Sequence, residues 1–245
     1  YGITNGGWPL TVVVPTFSVL SIQQSTPFVG AINTIAATLT SNYDLSDGSL
    51  VTITGLAGSQ TGTSGSLSLA STSGKFGNAG NWDGGGTLIL TAASGGPANN
   101  SAIGITFSLT NPAAGRAATA VSVAATIHDS GSNTIGTIAQ VAMIRPTAAL
   151  FDVADGYHPL QVVEPLFSIK AISQSTPVAG ATNTLTITLQ STTHTMPAGS
   201  IITVTGLTGS QEGSDAALTV VPSPNDGTMP TSGNWDIGGT LKLTV

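Results

Sequence analysis

Short apolar runs, broken by Gly, Pro, Asn and Asp, recur along the whole chain. Many are rich in β-branched residues, and several alternate apolar and polar positions with a period of two, the pattern of a strand with one buried face. The residues between the runs are those that favour tight turns. The pattern predicts strands at residues 17–22, 35–39, 50–54, 66–69, 88–91, 103–109, 120–124 and 135–143.

This succession of strands predicts an all-β fold. About eight short strands in roughly 130 residues are typical of an antiparallel immunoglobulin-like sandwich, and Greek-key connections are the expected topology. The chain has no cysteine, so the disulfide of true immunoglobulin domains is missing and the exact topology stays open. Residues 112–118 form the one stretch that is Ala-rich enough to suggest a helical turn.

The chain contains a long internal repeat, in which residues 8–91 match residues 158–244. Residues 24–27 and 174–177 both read QSTP, and residues 80–83 and 233–236 both read GNWD. Self-similarity over about 150 residues indicates tandem domains. No counterpart of residues 92–150 follows the second copy, so we expect the second sandwich to be truncated and the chain to be part of a longer array.

The repeat sets the expected domain boundaries. Residues 16–148 are the first immunoglobulin-like sandwich, and residues 166–245 are the second, incomplete one; residues 1–15 and 149–165 are linkers or exchanged strands. A truncated sandwich exposes unpaired sheet edges. The missing strands are supplied either by continuation of the chain or by a neighbouring protomer, as in donor-strand complementation. A contact of the second kind is head-to-tail and propagates as a filament.

Charge changes the picture of the surface more than of the fold. Only 7% of the residues are charged, against roughly 25% in a typical soluble domain, while 40% are hydrophobic. A surface so poor in charge suits a protein that self-associates or is hydrated by glycans. The five basic residues are scattered, which argues against a nucleic-acid partner, and no apolar run is long enough to span a membrane in this segment.

The residues give no pattern for catalysis or a cofactor. His128, His158 and His194 lack the spacing of a zinc site and are expected to be solvated loop residues. Asp83 and Asp236 recur once per repeat, so they do not form the carboxylate pair that glycoside hydrolysis requires. No nucleophile elbow of the type Gly-x-Ser-x-Gly is present. We therefore expect a protein that is not an enzyme and binds no cofactor other than covalent glycans.

Two acids in the second linker raise the alternative of a calcium site. Asp152 and Asp155 could offer carboxylate oxygens to Ca²⁺. Asp155 is followed by Gly156, and Asp before Gly favours a turn. A turn therefore explains the presence of these acids without a metal.

Several positions are candidates for glycosylation. Asn99-Asn100-Ser101 is an N-linked sequon in a Gly/Pro-rich loop. Ser/Thr-rich loops are candidates for O-linked sugar, the alternative being that they are simply flexible polar loops. The hydroxyl candidates are Thr61, Thr63, Thr193 and Thr195.

The repeated GNWD turn has two interpretations. As a folding device, its Asn and Asp residues close a tight turn and its Trp packs on the core. As a binding site, the indoles of Trp8, Trp82 and Trp235 are exposed stacking platforms of a carbohydrate-binding or adhesin module. We favour the structural interpretation for the turn residues, which are Asn81, Trp82, Asp83, Asn234, Trp235 and Asp236.

Three stretches carry a resemblance to known repeats. They are STP at residues 25–27 followed by NT at 33–34, ITGL at 53–56, and FSLTNPAA at 107–114. These stretches resemble the immunoglobulin-like repeats of very large, low-charge extracellular proteins of algae and other protists. The resemblance implies a secreted or surface repeat protein that forms a glycan-coated fibril, and it transfers no catalytic residue.

The expected function is therefore that of a structural extracellular protein, the building block of a filament or surface stalk. Its partners are copies of itself, further repeats of the same chain, and glycans. The alternative is the carbohydrate-binding or adhesin module described above.

Overall fold

The computed structural model describes residues 6–10, 12–191, 194–224 and 227–245. The chain divides into two compact units, Tyr1–Leu166 and Phe167–Val245. Both units consist of antiparallel β-sheet, which confirms the predicted all-β class. In the described part of the chain the helical structure consists of one 3₁₀ turn at Thr72–Gly74.

The first unit contains nine strands over its described residues. The predicted runs are all present, and a short strand that the apolar pattern did not reveal lies at Ala79–Trp82. The strands are β1 Phe17–Gln24, β2 Ile32–Ser41, β3 Leu50–Thr54, β4 Ser64–Ser71, β5 Ala79–Trp82, β6 Leu88–Thr91, β7 Ile103–Thr110, β8 Ser122–His128 and β9 Thr134–Ala142.

The strand order is that of an immunoglobulin-like sandwich. One layer has the order β1-β2-β7-β4, and the other has the order β5-β6-β3-β8-β9. These correspond to the ABED and CFG layers of that architecture, with the β5–β6 hairpin added to the second. Strand β4 pairs with β5 through its first half and with β7 through its second half, so it joins the two layers. A parallel bridge between Ser21 and Ile144 links them on the opposite side.

Alternation along the strands builds the core between these layers. On β2, Ile35, Ala37 and Leu39 point inwards, while the residues between them are partly or fully exposed. Strands β7 and β8 alternate in the same way. Because each strand presents every second side chain to one face, the two layers together bury a single continuous cluster that includes Ile53, Trp82, Leu90, Ile105, Phe107 and Ile127.

Residues 149–165, hereafter the docked segment, pack on the first unit. Val162 forms an antiparallel bridge with Arg116, and Val163 forms a parallel bridge with Phe28. The prediction of a helical turn at residues 112–118 is wrong, because the chain around Arg116 is extended and pairs with the docked segment instead. The Ala content of this stretch favoured a helix, but pairing with the docked segment fixes the extended conformation.

The second unit repeats the first part of this fold. Its described residues form a two-stranded sheet and a four-stranded sheet, in the order β12-β15-β14-β13. The first sheet corresponds to β1-β2, and the second follows the order β3-β6-β5-β4 of the first unit. The strands are β10 Phe167–Gln174, β11 Leu185–Ser191, β12 Ile201–Val204, β13 Asp215–Thr219, β14 Ser232–Asp236 and β15 Thr240–Thr244.

The described residues of the second unit form fewer strands than the first unit. Over its described residues no strand corresponds to β7, β8 or β9, and β11 pairs only with β10. Its fully buried core consists of Ile202, Trp235, Leu241 and Leu243. Side chains that would face the absent strands are therefore open to solvent: Ile172 is 52% exposed, whereas its counterpart Ile22 is 1% exposed.

The described residues hold no helix with the length and apolar character that crossing a membrane would require.

Candidate functional site

The GNWD turn of the first unit lies in the β5–β6 hairpin. Trp82 is completely buried, and its Nε1 donates to the Thr61 carbonyl at 3.0 Å. Asp83 follows it, and its Oδ1 accepts from the backbone N–H groups of Gly85, Gly86 and Thr87 at 2.7–2.8 Å. The carboxylate accepts hydrogen bonds from three successive backbone N–H groups and so closes the turn. The indole anchors the turn to the core.

The second GNWD turn is built in the same way. Trp235 is buried, and its Nε1 donates to the Glu212 carbonyl at 3.3 Å. Asp236 Oδ1 accepts from the Gly238 backbone N–H at 2.6 Å. In both units the Asn of the turn points to solvent. Because Trp82 and Trp235 are buried, neither presents a ring face to a sugar, whereas Trp8 is 66% exposed.

The Asp83 carboxylate is shifted by its hydrogen bonds. The Thr87 backbone N–H lowers the pKa of Asp83 below its usual 3.8, and the Gly85 and Gly86 N–H groups act in the same direction. Hydrogen bonds to the charged form stabilise it. Asp83 therefore stays ionised at neutral pH, and its carboxylate acts as a hydrogen-bond acceptor within the turn.

The glycosylation candidates lie at different depths. Asn99 is half-buried, and its backbone N–H donates to Asp44 Oδ1 at 2.8 Å. Thr61 Oγ1 accepts from the Thr110 backbone N–H at 2.7 Å, and Thr63 Oγ1 donates to the Asp83 carbonyl at 2.8 Å. Thr195 is exposed. Thr193 lies outside the described residues.

The acids of the docked segment take part in its turns. Asp152 and Asp155 are exposed and have positive φ angles of 62° and 53°. The Asp155 backbone carbonyl accepts from the His158 backbone N–H at 2.8 Å, and His158 Nε2 lies 3.9 Å from Asp155 Oδ1. Within the described residues, no group of three or more His, Asp or Glu side chains is placed to hold a metal ion.

The other two histidines are at least partly buried. His128 is half-buried, and its Nδ1 lies 2.8 Å from the Gly48 carbonyl oxygen. His194, expected to be a solvated loop residue, is buried. The Ser191 hydroxyl donates to the His194 carbonyl at 2.8 Å.

Three buried amide side chains, hereafter the amide cluster, join β1, β2 and the end of β7. They are Gln24, Asn33 and Asn111, all almost completely buried. Asn33 Nδ2 donates to Gln24 Oε1 at 2.8 Å and to Asn111 Oδ1 at 2.7 Å. Asn111 Nδ2 donates to the carbonyls of Thr26 and Phe28. The side-chain amide hydrogens of the cluster all find acceptors, within the cluster or on backbone carbonyls, as buried polar groups require.

Gln24 connects the amide cluster to the docked segment. Its Nε2 donates to the carbonyls of Gly156 and Gln161 at 2.8 and 2.9 Å. Its Oε1 accepts from the Leu160 N–H at 2.7 Å, and its backbone N–H donates to the Tyr157 carbonyl at 3.0 Å. Gln24 thus binds the docked segment at four residues between Gly156 and Gln161.

The docked segment is also held by main-chain pairing and burial. The Val163 N–H donates to the Pro27 carbonyl at 2.7 Å, and its carbonyl accepts from the Val29 N–H at 3.2 Å. Val162 exchanges both of its backbone hydrogen bonds with Arg116. The side chains of Leu160 and Val162 are 1% and 2% exposed. The segment is therefore an integral part of the first unit.

The sequence indicated the GNWD turns but not the amide cluster. Gln24 and Asn33 were visible as repeat positions, since Gln174 and Asn183 are their counterparts. In the second unit the same pair forms on the surface: Asn183 Nδ2 donates to Gln174 Oε1 at 3.0 Å, and both residues are exposed. Repetition of two amides nine residues apart was the available signal, but burial of the first pair depends on residues far away in the chain.

Neither a protein-family model nor a curated protein sequence matches this chain.

Proposed function

We propose that this chain is a structural, non-enzymatic repeat protein whose immunoglobulin-like units assemble head to tail into an extracellular filament, fibril or surface stalk. The docked segment carries the proposal. It follows the first sandwich in sequence and packs back on it, and β10 begins two residues after it, at Phe167. The residues that connect one repeat to the next are thus part of the fold of the first repeat.

The open faces of the second unit support assembly. Ile172 and Leu185 are exposed there, whereas their counterparts Ile22 and Ile35 are buried in the first unit. Apolar strand faces and unpaired strand edges are sites where further strands add. A contact of this kind joins two different surfaces, so it repeats from one copy to the next without closing.

The composition supports an extracellular, glycan-bearing location. With 7% charged residues, the surface depends on Ser, Thr, Asn and Gly for hydration. Exposed Thr195 and half-buried Asn99 lie in loops, where sugar can be attached without disturbing a sheet. Intact-mass and peptide mass spectrometry of the protein from its source tests this part, and an unmodified chain would contradict it.

We propose no catalytic role for the titratable side chains. The carboxylates that recur in both units, Asp83 and Asp236, accept backbone N–H groups of their own turns. Their repetition follows from the repetition of the fold, because each unit needs the same hairpin closed. The scattered basic residues likewise give no surface for nucleic acid.

Self-association of the chain tests the assembly proposal directly. Residues 1–245 should form elongated oligomers or fibres as concentration rises, seen by sedimentation velocity and negative-stain electron microscopy. High salt should not dissociate them, because the surface is poor in charge. Dispersed monomers throughout the micromolar to millimolar range would contradict the proposal.

One observation favours a second candidate, a carbohydrate-binding or adhesin module. Trp8 is 66% exposed and therefore offers a ring face for stacking. Oligosaccharides should then shift the tryptophan emission of the chain, and Trp8→Ala should abolish the shift. No shift in the presence of diverse oligosaccharides would exclude Trp8 as a sugar platform.

A further inference from the structure

The segment before the first unit repeats the sequence of the docked segment. Trp8-Pro9-Leu10 corresponds to His158-Pro159-Leu160, and Val12-Val13 corresponds to Val162-Val163. The two segments differ in their surroundings. Leu10 is 96% exposed and Val12 is 85% exposed, whereas Leu160 and Val162 are buried. A sequence that docks in one place therefore presents the same side chains to solvent in the other.

The backbone of the two segments also agrees. Leu10 has a φ of 64° and Leu160 has a φ of 58°, and both follow a proline. Leucine rarely adopts this left-handed conformation, because its Cβ clashes with the backbone. In the docked segment, burial of the Leu160 side chain and its N–H bond to Gln24 offset the strain. Leu10 has the same conformation with an exposed side chain.

The second unit carries a counterpart of one part of the surface that receives the docked segment, whereas the chain around Arg116, which pairs with Val162, has no counterpart among its described residues. In the first unit, residues 24–29 supply six of the hydrogen bonds to that segment, through Gln24, Pro27 and Val29. Residues 174–179 are the equivalent stretch, with Gln174, Pro177 and Ala179 at the same positions. Gln174 and Val178 are exposed. The stretch therefore has the required donors and acceptors on an open surface.

The loop that shapes this surface is already formed in the second unit. Asn33 Oδ1 accepts from the N–H groups of Ser25 and Thr26 at 3.1 and 3.3 Å. Asn183 Oδ1 accepts from Ser175 and Thr176 in the same way, at 3.2 Å each. The receiving loop thus keeps its conformation without a docked segment, so docking needs little rearrangement.

We propose that residues 6–13 of one copy of this chain dock along residues 174–179 of the second unit of another copy, as residues 156–163 dock on residues 24–29. The inference rests on the proposed head-to-tail assembly and names the two surfaces that form it. Leu10 packs against the receiving loop, the Leu10 N–H donates to Gln174 Oε1, and Val13 pairs with Val178. Because the two surfaces differ, each docked copy leaves one of each free for the next.

The chemistry of the two surfaces is complementary without charge. Neither residues 6–13 nor residues 172–179 contain a charged side chain. Apolar burial and main-chain hydrogen bonds therefore drive the contact. Salt should leave it unchanged or strengthen it, as is typical of hydrophobic association.

Sedimentation velocity on the full chain tests the docking. Leu10→Asp/Val12→Asp should weaken self-association at least about tenfold, because it places carboxylates within an otherwise apolar contact. Val221→Asp is the matched control, since Val221 is 87% exposed outside both surfaces, and it should associate like the native chain. Equal association of the double variant and the control would overturn the inference.

A disulfide trap tests the register. The chain has no cysteine, so Val13→Cys/Val178→Cys introduces the only two thiols. Paired strand residues lie within the separation that a disulfide spans. Oxidation should give a ladder of linked chains, whereas Val13→Cys/Val221→Cys should not. A disulfide closed within one chain, or no faster linkage than in the mismatched pair, would overturn the inference.

The two experiments separate this inference from the proposed function. If Leu10→Asp/Val12→Asp forms fibres as well as the native chain does, head-to-tail assembly is supported, but docking of residues 6–13 is contradicted. If the native chain stays monomeric and Val13→Cys/Val178→Cys gives no ladder, both the assembly proposal and the docking are contradicted. A ladder without stable oligomers supports the docking and shows that it is too weak to build a filament alone.

Discussion

Asp83 closes the β5–β6 hairpin with one carboxylate oxygen that accepts three backbone N–H groups. Those bonds stabilise the ionised form and lower its pKa in the folded protein. The associated stability is therefore present above the unfolded pKa of about 3.9 and is lost as the pH falls through the folded value. Asp83→Asn should reduce the free energy of unfolding at pH 7 and lose this effect in strong acid, as measured by urea denaturation at both pH values.

A second carboxylate controls for the loss of charge itself. Asp47→Asn makes the same charge change at an exposed position outside the hairpin. It should change the free energy of unfolding at pH 7 by less than Asp83→Asn does. If the two variants are equally destabilised, the hydrogen bonds of Asp83 do not carry the effect.

Gly86 in the same hairpin allows a sharp test of backbone fit. Its φ is 120°, and a Cβ there would lie 2.6 Å from the Ala57 backbone nitrogen. Gly86→Ala should destabilise the first unit by about 2–3 kcal/mol, through strain and the clash together. Gly85→Ala is the matched control: its nearest atoms are at 3.5 Å, and it should change stability by about 0.5 kcal/mol or less. Thermal unfolding of both variants measures the difference.

The sequence predicted which residues form the turn but not which way the indoles face. Asn, Asp and Gly have strong local turn preferences, so the corner could be located from neighbouring residues alone. The direction of Trp82 depends on the layer that lies across the core, including Ile105 and Phe107, which come later in the chain. Burial of Trp82 is a long-range property and had no local signal.

At the scale of elements, Gln24 controls whether the docked segment stays in place. Gln24→Ala removes its bonds to Gly156, Leu160 and Gln161 and leaves the Leu160 N–H buried without a partner. It should cost the first unit about 3 kcal/mol. Hydrogen exchange at residues 156–163 should rise more than exchange in β7 or β8.

The repeat supplies the control for that experiment. Gln174→Ala is the same substitution at the equivalent position, where the side chain is exposed. At dilutions where the chain is monomeric it should change the free energy of unfolding by less than about 0.5 kcal/mol. Similar losses in the two variants would mean that Gln24 does not act through the docked segment.

Strands with long alternating runs could be predicted, and the shorter or irregular elements could not. Strand β7 alternates over eight residues and was evident from the sequence. Strand β5 is four residues long and reads AGNW, with no β-branched residue. The extended chain at residues 112–118 was predicted to be helical, because local composition favoured a helix and its partner strand lies some 45 residues away in the sequence.

At the scale of the whole molecule, the two units should unfold separately. The first has a continuous core that spans both layers, and the buried core of the second consists, over its described residues, of four hydrophobic residues. Stability follows buried apolar surface, so the second unit should unfold at lower urea concentration. Tryptophan emission should show two transitions, with Trp235→Phe removing the first and Trp82→Phe removing the second. A single transition in the native chain, or the same midpoint in both variants, would contradict this expectation.

The repeat predicted the architecture of the molecule well, because a repeated sequence must fold in a repeated way. What it could not reveal is that residues 149–165 are part of the first unit, since Leu160 and Val162 find their partners through Gln24 and Arg116.

The position of the docked segment has a mechanical consequence. Tension applied through Phe167 reaches the hydrogen bonds of residues 150–165 before it reaches the sandwich of the first unit, because those residues come directly before it in the chain. Peeling them off would release about 50 Å of extended chain while both layers stay folded. A filament built from such repeats would lengthen under tension and shorten again when the tension is released, because the docked segment of each repeat would detach and rebind reversibly.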